Sequence, residues 1–368
     1  MPGYYIGLMS GTSLDGVDGV LADCSATGTR VLQHVWRPFA PELAAELLQL
    51  NHAGADELHR AALAANALVR SYATVVADLL RASDLPAGAI RAIGAHGQTV
   101  RHRPGAFDGT GYTLQLNNPA LLAELCGITV VADFRSRDVA AGGQGAPLVP
   151  AFHRAIFGRP GQSVAALNIG GISNLSLLRD DHVTGFDCGP GNALLDHWCR
   201  RHTGQSYDDA GRWAASGQVH EPLLQRLLRE PYFAQLPPKS TGRDLFHPDW
   251  LNRHLDGLAA IDAADVQATL TELTARVCAR DLQRQDPACR QLYVCGGGAL
   301  NEELIGRLRR NLPGVTVESS EAAGLPPLQV EAAAFAWLAR KALAGETGSL
   351  PAVTGARGAR VLGAVYPA

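Results

Sequence analysis

Three glycine-rich turns, each placed directly after an apolar segment, constrain the fold of this chain more than any other feature. They read GTSLDG at residues 11–16, GGISN at residues 170–174 and GGGALN at residues 296–301. The first two are also followed by apolar segments, so the pattern strand–glycine turn–strand occurs twice, near residues 5–24 and 164–178. A repeat of this kind predicts two related α/β domains with a ligand-binding cleft between them.

The three turns also indicate what the chain binds. Glycine turns expose backbone N–H groups, and two such turns that face each other can hold a polyphosphate without many lysines. The third turn precedes a predicted helix, and its consecutive glycines would let a flat group such as adenosine approach the backbone closely. Each turn alone can also be explained as a plain hairpin or strand–helix connection. The chain has no GxxxxGK[ST] P-loop and no GxGxxG after a strand, which argues against Walker-type and simple dinucleotide folds.

Length and composition indicate a globular protein of two domains. The 368 residues exceed what one hydrophobic core usually covers, and we predict a first domain of residues 1–128 plus a tail of residues 350–368, and a second domain of residues 129–349. The net charge of −3 gives no indication of a nucleic-acid or membrane partner. Seven scattered cysteines without a CxxC pair, and no signal-like N-terminus or long charge-free apolar run, favour a cytoplasmic protein.

Several long and compositionally unusual blocks follow one another along the chain. They are IGLMSGTSLDGVD at 6–18, GQTVRH at 97–102, DFRSRDVAAGGQGAPLVP at 133–150, NIGGISN at 168–174, FDCGPGN at 186–192, PKSTGR at 238–243, CGGGALN at 295–301 and TGA at 354–356. In these blocks the chain closely resembles the anhydro-N-acetylmuramic acid kinases. Cys188 is a departure, because threonine is common at this position in the family and a thiol is a weaker hydrogen-bonding group.

The resemblance implies an α/β protein with the two-domain, actin-like ATPase fold, a duplicated ribonuclease H-like fold with an active-site cleft between its domains. It implies ATP and Mg²⁺ as cofactors, a small-molecule sugar substrate and a homodimer. The residues that it implies for binding ATP and its phosphates are Gly11, Thr12, Ser13, Leu14, Asp15, Gly16, Val17, Asp18, Gly170, Gly171, Ile172, Ser173, Asn174, Gly296, Gly297, Gly298 and Asn301.

Asp187 is the predicted catalytic base. It ends the apolar segment 183–186 and precedes the stiff Gly-Pro-Gly-Asn turn at residues 189–192, which would hold a carboxylate in a fixed direction. The resemblance places the family's catalytic aspartate at the same position. The alternative is an aspartate that only caps a helix or stabilises the turn.

Other polar residues suit a sugar site. The predicted substrate-binding residues are His96, Gln98, Thr99, Arg135, Asp138 and Glu331. His96 and His102 flank the turn at residues 97–99, and either one would contact the substrate or serve only as a structural histidine. Arg135 would fork onto the lactyl carboxylate of the muramic ring and Asp138 would accept from a hydroxyl, or the two would form a structural ion pair.

The metal ligands are left open by the sequence. Asp15 would orient Mg²⁺-bound water, or else it only stabilises its turn. Lys239, Ser240 and Arg243 lie in a polar loop that would either close over the ligand or form plain surface.

The reaction implied by the resemblance is the ATP-dependent opening of the 1,6-anhydro ring of 1,6-anhydro-N-acetylmuramic acid with phosphorylation of O6. Its product is N-acetylmuramic acid 6-phosphate, formed during peptidoglycan recycling. A carboxylate would activate the attacking water, as in inverting glycoside hydrolysis. The alternatives are a kinase for levoglucosan (1,6-anhydroglucose), a hexokinase-type kinase acting on a free hydroxyl, and a non-catalytic ATP- or sugar-binding protein of the same fold.

Overall fold

The computed structural model describes residues 3–11, 13–25, 28–180, 182–242 and 244–368. The chain divides into two compact units. Unit 1 comprises Met1–Ile156 and Gln329–Ala368, and unit 2 comprises Phe157–Leu328. Unit 2 is therefore one continuous segment inserted between the two segments of unit 1.

Unit 1 contains a sheet and a separate two-stranded ribbon. Its strands are β1 (Tyr4–Met9), β2 (Gly16–Ser25), β3 (Gly28–Pro38), β4 (Ile90–Ala95), β5 (Gln98–Pro104), β6 (Gly111–Leu116), β7 (Val130–Ala132) and, near the C-terminus, β13 (Ala364–Tyr366). The sheet has the order β13-β7-β4-β1-β2-β3, and β5 pairs with β6 in the ribbon. Strands β1 to β3 are antiparallel neighbours, whereas β1, β4 and β7 run parallel.

Helices cover this sheet, and the longest of them is a core helix. The helices of unit 1 are α1 (Pro41–Gln49), α2 (Glu57–Ser83), α3 (Pro119–Cys126), α4 (Ser136–Ala140), α5 (Val149–Phe157), α12 (Val330–Leu343) and α13 (Pro351–Thr354). By length and composition α2 would suffice to cross a membrane, and no other helix in the described part of the chain passes that test. Leu68, Tyr72 and Val75 of α2 are fully buried in the core of unit 1.

Helix α12 lies on the sheet of unit 1 at backbone contact. Its sequence VEAAAFAWLARKAL places alanines on the buried surface, and the strands beneath it carry Gly7 and Gly94. A Cβ atom on Gly7 would overlap the carbonyl oxygen of Ala332, and one on Gly94 would overlap that of Phe335. The helix can approach this closely only because both surfaces are built from small residues.

The boundaries of the units differ from the predicted ones. Residues 130–132 form β7, which pairs with β4, and residues 330–343 form α12, which packs on β1 and β4. Strand pairing and helix packing therefore assign residues 129–156 and 329–349 to unit 1, although the sequence predicts them in the second domain.

Unit 2 repeats the strand arrangement of unit 1. Its strands are β8 (Val164–Ile169), β9 (Ile172–Leu178), β10 (Val183–Pro190), β11 (Gln291–Cys295) and β12 (Thr316–Ser319). In the order β10-β9-β8-β11-β12, β8 to β10 form an antiparallel meander and β8, β11 and β12 run parallel. This is the order β3-β2-β1-β4-β7 of unit 1, so the predicted duplication is confirmed in the topology of the sheets.

The core of unit 2 is formed by its sheet and one long helix. The helices of unit 2 are α6 (Asn192–Thr203), α7 (Arg212–Ser216), α8 (Glu221–Leu227), α9 (Pro248–Leu255), α10 (Ala263–Gln285) and α11 (Glu302–Asn311). Helix α10 is buried along most of its length. Its Leu270, Leu273 and Val277 share the core with Phe233 and Trp250.

The contact between α12 and β4 leads to a prediction about stability. We expect Gly94→Ala to lower the free energy of unfolding by about 3 kcal/mol, because its methyl group meets a backbone carbonyl that cannot rotate away. Chemical denaturation followed by tryptophan fluorescence measures the change. Gly88→Ala is the matched control, because a Cβ atom at Gly88 meets open space. Equal stability of the two variants would contradict the assigned packing.

Candidate active site

The first glycine turn joins β1 to β2 and presents polar groups to solvent. The backbone N–H of Leu14 donates to the carbonyl oxygen of Gly11 at 3.2 Å, and Leu14 has a left-handed φ of 58°, which is unusual for a leucine. The hydroxyl of Ser13 donates to Oδ1 of Asp15 at 2.7 Å, and both side chains are exposed. The turn therefore offers a hydroxyl and a carboxylate to a ligand. Thr12, also predicted here, lies outside the described residues.

The last residues of the predicted phosphate loop, 16–18, are part of strand β2 and pair with β3. Gly16 pairs with Pro38 across β2 and β3, and Val17 is fully buried. Oδ1 of Asp18 lies 3.0 Å from Nε2 of His34. The side chains of Val17 and Asp18 thus belong to the sheet, and Gly11, Ser13, Leu14 and Asp15 are the described residues of the loop that reach solvent.

Gln98 supports this turn from within the protein. It is 1% exposed, and its Nε2 donates to the carbonyl oxygen of Gly11 at 3.1 Å. The hydroxyl of Ser10 donates to the carbonyl oxygen of Gly97 at 3.2 Å and lies 2.9 Å from the hydroxyl of Tyr72. The sequence blocks at 6–18 and 97–102 are therefore joined, and Gln98, predicted to contact the substrate, positions the phosphate loop because its side chain is buried beneath it.

Arg135 is held in one orientation by His96. Its Nε and Nη2 lie 3.1 Å and 2.9 Å from Nε2 of His96, and its Nη1 donates to the carbonyl oxygen of Gly145 at 2.8 Å. Burial, and then the charge of Arg135, lower the pKa of His96 to about 3, so the imidazole is neutral and accepts from the guanidinium. His96, predicted to bind substrate, thus orients Arg135.

Arg135 itself keeps its charge in this setting. Burial lowers the pKa of Arg135 to about 10, and the carboxylates of Glu331 and Asp138 act in the opposite direction. Glu331 lies in the first turn of α12, so the packing of that helix brings a predicted substrate residue into the electrostatic field of Arg135.

Asp138 holds the glycine-rich loop 138–147 against the C-terminal segment. It is fully buried; Oδ2 accepts from the N–H of Gly145 at 2.8 Å and Oδ1 accepts from the hydroxyl of Thr354 at 2.9 Å. The N–H of Gln144 donates to the carbonyl oxygen of Thr354 at 2.7 Å. Both oxygens of Asp138 are therefore used within unit 1, which makes it a loop-positioning residue instead of the predicted sugar ligand. The predicted alternative, an ion pair between Asp138 and Arg135, does not form either, because the partners of Asp138 are Gly145 and Thr354.

The second glycine turn joins β8 to β9 in unit 2 and is tied to the start of α6. The N–H groups of Gly191 and Asn192 donate to the carbonyl oxygens of Gly171 and Gly170 at 3.0 Å and 2.7 Å. Ser173 is fully buried and donates its hydroxyl to the carbonyl oxygen of Gly189 at 3.1 Å. The Ser173 side chain, predicted to bind phosphate, is therefore part of the core, and Gly170, Gly171 and Ile172 are the partly exposed part of the turn.

Asp187 lies in a polar row across the sheet of unit 2. It is in register with Asn174 on β9, which is in register with Asn168 on β8. Residues opposite one another on neighbouring strands share a face of the sheet. Asn168 is not among the predicted site residues, although its position at the end of a buried strand before a glycine turn is the signal that marks it.

The carboxylate of Asp187 has one fixed oxygen and one open oxygen. Oδ2 accepts from the hydroxyl of Ser240 at 2.8 Å and from the N–H of Thr241 at 3.0 Å. Among the described residues nothing hydrogen-bonds to Oδ1. Burial raises the pKa of Asp187, although these two hydrogen bonds and the charge of Lys239 oppose the rise. The result is a carboxylate that is oriented from one side and more basic than usual on the other, as a general base requires.

The loop that carries Ser240 is anchored by a buried ion pair. Nζ of Lys239 lies 2.7 Å from Oδ2 of Asp281 on α10, and both side chains are almost fully buried. The ammonium group also lies 5.0 Å from the centroid of the Tyr232 ring, and the Tyr232 hydroxyl donates to the backbone carbonyl of Asp187 at 2.7 Å. This loop, predicted to close over the ligand or to be plain surface, orients the carboxylate of Asp187 instead. Arg243 lies outside the described residues.

Cys188, the departure from the family pattern, faces the core. It is fully buried, and the hydrogen bond with the neighbouring Cys278 thiol, followed by burial, raises the pKa of Cys188. The thiol of Cys278 in turn lies 3.3 Å from the Ser173 hydroxyl. Because its side chain packs inside unit 2, the loss of a hydroxyl at position 188 changes no group that faces solvent.

The third glycine turn follows β11 and is closely packed against β8. Gly296 has a φ of 76°, and a Cβ atom there would overlap Oδ1 of Asn168. A Cβ atom on Gly298 would overlap the side chain of Ile169, whereas Gly297 is exposed. Oδ1 of Asn301 accepts from the N–H of Leu304 at 2.9 Å and caps α11. Among the predicted ligand residues of this turn, Gly297 is thus the exposed one, whereas Gly296 and Gly298 pack against β8 and Asn301 caps α11.

The described residues contain no group of three or more His, Cys, Asp or Glu side chains that could hold a metal ion. In kinases Mg²⁺ is bound largely by phosphate oxygens and water with one or two carboxylates. The exposed carboxylate of Asp15 is a donor of this kind.

Comparison with known proteins gives consistent matches over the whole chain. A family model described as anhydro-N-acetylmuramic acid kinase matches residues 3–368. The anhydro-N-acetylmuramic acid kinase of Variovorax paradoxus is 65% identical and covers 99% of both chains, and that of Albidiferax ferrireducens is 61% identical and covers 100% of both.

Solved structures support the fold. A reductive activator for a corrinoid, iron–sulfur protein matches 93% of this chain and 61% of its own chain, with a TM-score of 0.50 at 14% identity. At this identity the likeness shows the fold alone, which is the two-domain actin-like ATPase fold.

The buried contact of Asp138 with Thr354 can be tested by unfolding experiments. We expect Thr354→Val to lower the free energy of unfolding by about 2 kcal/mol, because it removes a donor from a buried carboxylate oxygen. Thr354→Ser keeps the hydroxyl and should lose less than half as much. Chemical denaturation of both variants measures the difference, and equal losses would show that the hydroxyl is not the important group.

Proposed function

The chain belongs to the anhydro-N-acetylmuramic acid kinase family, and we propose that it phosphorylates O6 of 1,6-anhydro-N-acetylmuramic acid while water opens the anhydro ring. It is an anhydro-sugar kinase with a match to the family over residues 3–368. The product would be N-acetylmuramic acid 6-phosphate, for use in peptidoglycan recycling. The observation that carries this proposal is the environment of Asp187, because an oriented and unusually basic carboxylate is what a hydrolytic kinase needs.

In the proposed mechanism Asp187 activates the water. Its Oδ2 stays bound to Ser240 and Thr241, and Oδ1 accepts a proton from the water that attacks the anomeric carbon. The bond between C1 and O6 breaks as the new C1–O bond forms. A proton donor for O6 is not required, because phosphorus captures that oxygen.

The phosphoryl group then moves from ATP to O6. The departing O6 attacks the γ-phosphorus, and ADP leaves. Backbone N–H groups of the first and second glycine turns, with the Ser13 hydroxyl, would hold the phosphates. Mg²⁺, held by the phosphate oxygens and by Asp15 through water, would neutralise charge that develops on the phosphoryl group.

Arg135 is the proposed ligand for the lactyl carboxylate of the sugar. Its guanidinium is fixed by His96 and Gly145, so less conformational freedom is lost when a carboxylate binds. Glu331, whose charge acts on Arg135, would contact the sugar beside it. Levoglucosan has no carboxylate, so a fixed, partly exposed cation favours the muramic sugar over the glucose derivative. We further expect a cytoplasmic homodimer.

A coupled ADP-release assay with ATP and Mg²⁺ tests the substrate. We propose to run 1,6-anhydro-N-acetylmuramic acid beside levoglucosan and reducing N-acetylmuramic acid, in ¹⁸O-labelled water. Turnover of the anhydro-muramic sugar, with one ¹⁸O at C1 and phosphate at O6, supports the proposal. Preferred turnover of levoglucosan would show that levoglucosan is the substrate instead. A phosphorylated product without ¹⁸O would indicate a hexokinase-type reaction.

Replacement of the base gives the first kinetic prediction. We expect Asp187→Asn to lower kcat by about 10³-fold, because the amide cannot accept the water proton. The KM for the sugar should change by less than about threefold, since the amide keeps the shape of the carboxylate. Steady-state kinetics measure both values, and a variant with near-normal kcat would show that Asp187 is not the base.

The hydrogen bond from Ser240 gives a prediction about pH. The base is active when deprotonated, so activity is lost as pH falls through the pKa of Asp187, which burial raises above its ordinary value. Ser240→Ala removes a donor that stabilises the carboxylate, so the pKa should rise further and the acidic limb of the kcat/KM profile should move to higher pH. Ser216→Ala, at an exposed serine of unit 2, is the control. A Ser240→Ala profile that moves to lower pH, or does not move, contradicts the assignment.

A further inference from the structure

The β5–β6 ribbon carries a chain of polar side chains on one face. Nε2 of Gln115 donates to the hydroxyls of Thr99 and Thr113 at 3.2 Å and 2.8 Å. The Thr113 hydroxyl also lies 3.0 Å from Nδ1 of His102. Thr99 is in register with Gln115 and His102 with Thr113, so these four residues form one continuous polar face, called here the ribbon face.

The ribbon face lies next to the arginine proposed for the sugar. Helix α4, which Arg135 precedes, contacts β6. The pKa of His102 is lowered by burial and then by the charges of Arg135 and Arg103, so the imidazole is neutral. His102, Thr99 and Gln115 are each partly exposed, whereas Thr113 is buried beneath them.

Hydrogen-bond geometry fixes what this face offers to a ligand. Gln115 uses both amide hydrogens on the two threonines, and within the described residues its Oε1 has no partner. Thr113 accepts from Gln115 and can donate its own hydrogen to Nδ1 of His102, which leaves the hydrogen of the neutral imidazole on Nε2. Thr99 likewise keeps its hydroxyl hydrogen. With this His102 tautomer the face presents one acceptor, Gln115 Oε1, beside the two donors Thr99 and His102.

We propose that the ribbon face binds the 2-acetamido group of the sugar, with Gln115 Oε1 accepting from its N–H and Thr99 or His102 donating to its carbonyl oxygen. This inference rests on the proposed function. An acetamido group carries one donor and one acceptor side by side, which complements this pattern. In the anhydro-muramic sugar a single ether oxygen bridges C1 and C6 and O3 carries the lactyl ether, so only the acetamido N–H and the 4-hydroxyl can donate to Gln115.

Gln115 is then a specificity-determining residue that the sequence did not indicate. Levoglucosan has a hydroxyl at C2 instead. A single hydroxyl oxygen cannot replace the separate N–H and C=O groups with which an acetamido group would contact the acceptor and a donor of this face. A site built to hydrogen-bond a polar group discriminates against a ligand that lacks it, because its own polar groups are left unpaired. Thr113 contacts no ligand in this arrangement and acts as a positioning residue for His102 and Gln115.

Two sugars that differ only at C2 provide the test. The inhibition constants of 1,6-anhydro-N-acetylglucosamine and levoglucosan are measured against turnover of the anhydro-muramic sugar by the full-length enzyme. We expect Gln115→Leu to raise the inhibition constant of the acetamido sugar and the KM of the muramic sugar by about tenfold, with kcat and the levoglucosan constant within about twofold of the wild type. Tyr112→Phe, on the opposite, exposed face of the ribbon, should change none of these values.

The Thr113 variants separate positioning from folding. Thr113→Val should raise the KM of the muramic sugar with little change in kcat. Thr113→Ser keeps the hydroxyl, so its KM should be close to that of the wild type. If Gln115→Leu raises the inhibition constants of both sugars equally, or of neither, the ribbon face does not bind the acetamido group. A wild-type enzyme that fails to turn over the muramic sugar would instead refute the proposed function, before any variant is measured.

Discussion

The contact between α12 and the glycines of β1 and β4 is the interaction on which the rest of unit 1 depends. It joins the chain segment after unit 2 to the sheet formed before it, at backbone distance. Glu331 at the start of this helix then lies in the field of Arg135, and the segment beyond it brings Thr354 to Asp138. One packing contact thus determines the position of Glu331, which is proposed to contact the sugar, and the position of the glycine-rich loop 138–147.

Three aspartates, two of them buried and the third partly exposed, show how differently one side chain can be used. Asp138 has a donor on each oxygen and holds a loop. Asp281 is neutralised by the ammonium group of Lys239. Asp187 has two donors on one oxygen and none from the described residues on the other. A carboxylate with one oxygen left unbonded by the protein can accept a proton from a ligand, as the proposed base must.

The sequence predicted the duplicated α/β fold, because glycine turns between apolar strands are local features that survive in both units. The assignment of Asp187 as the base also comes from the sequence, because its position between a buried strand and a rigid turn is visible in the chain, and it stays a prediction. The sequence did not separate ligand contacts from supporting residues: Gln98, Asp138 and Ser173 were all assigned to ligands, and their burial depends on partners distant in sequence. The domain boundaries differed for the same reason, since the partner of α12 lies more than two hundred residues earlier.

The roles of the β5–β6 ribbon and of the loop at Ser240 also depend on distant contacts. Alternating threonine and glutamine on β6 resemble an ordinary exposed strand until β5 is paired with it. Ser240 and Thr241 are conspicuous in the sequence only as part of a polar loop, and their contact with Asp187 spans more than fifty residues. Hydrogen bonds of this range follow from the tertiary structure and have no periodic pattern in the sequence.

The insertion of unit 2 between the two segments of unit 1 has a consequence for biosynthesis. When the ribosome has made residues 1–156, the small-residue surface around Gly7 and Gly94 has no helix to cover it, and it stays uncovered while all of unit 2 is synthesised. Unit 2, being continuous, can fold as soon as it emerges. The nascent chain therefore carries an incomplete first unit, with an exposed apolar sheet that chaperones can recognise, until residues 329–368 arrive and α12 covers it.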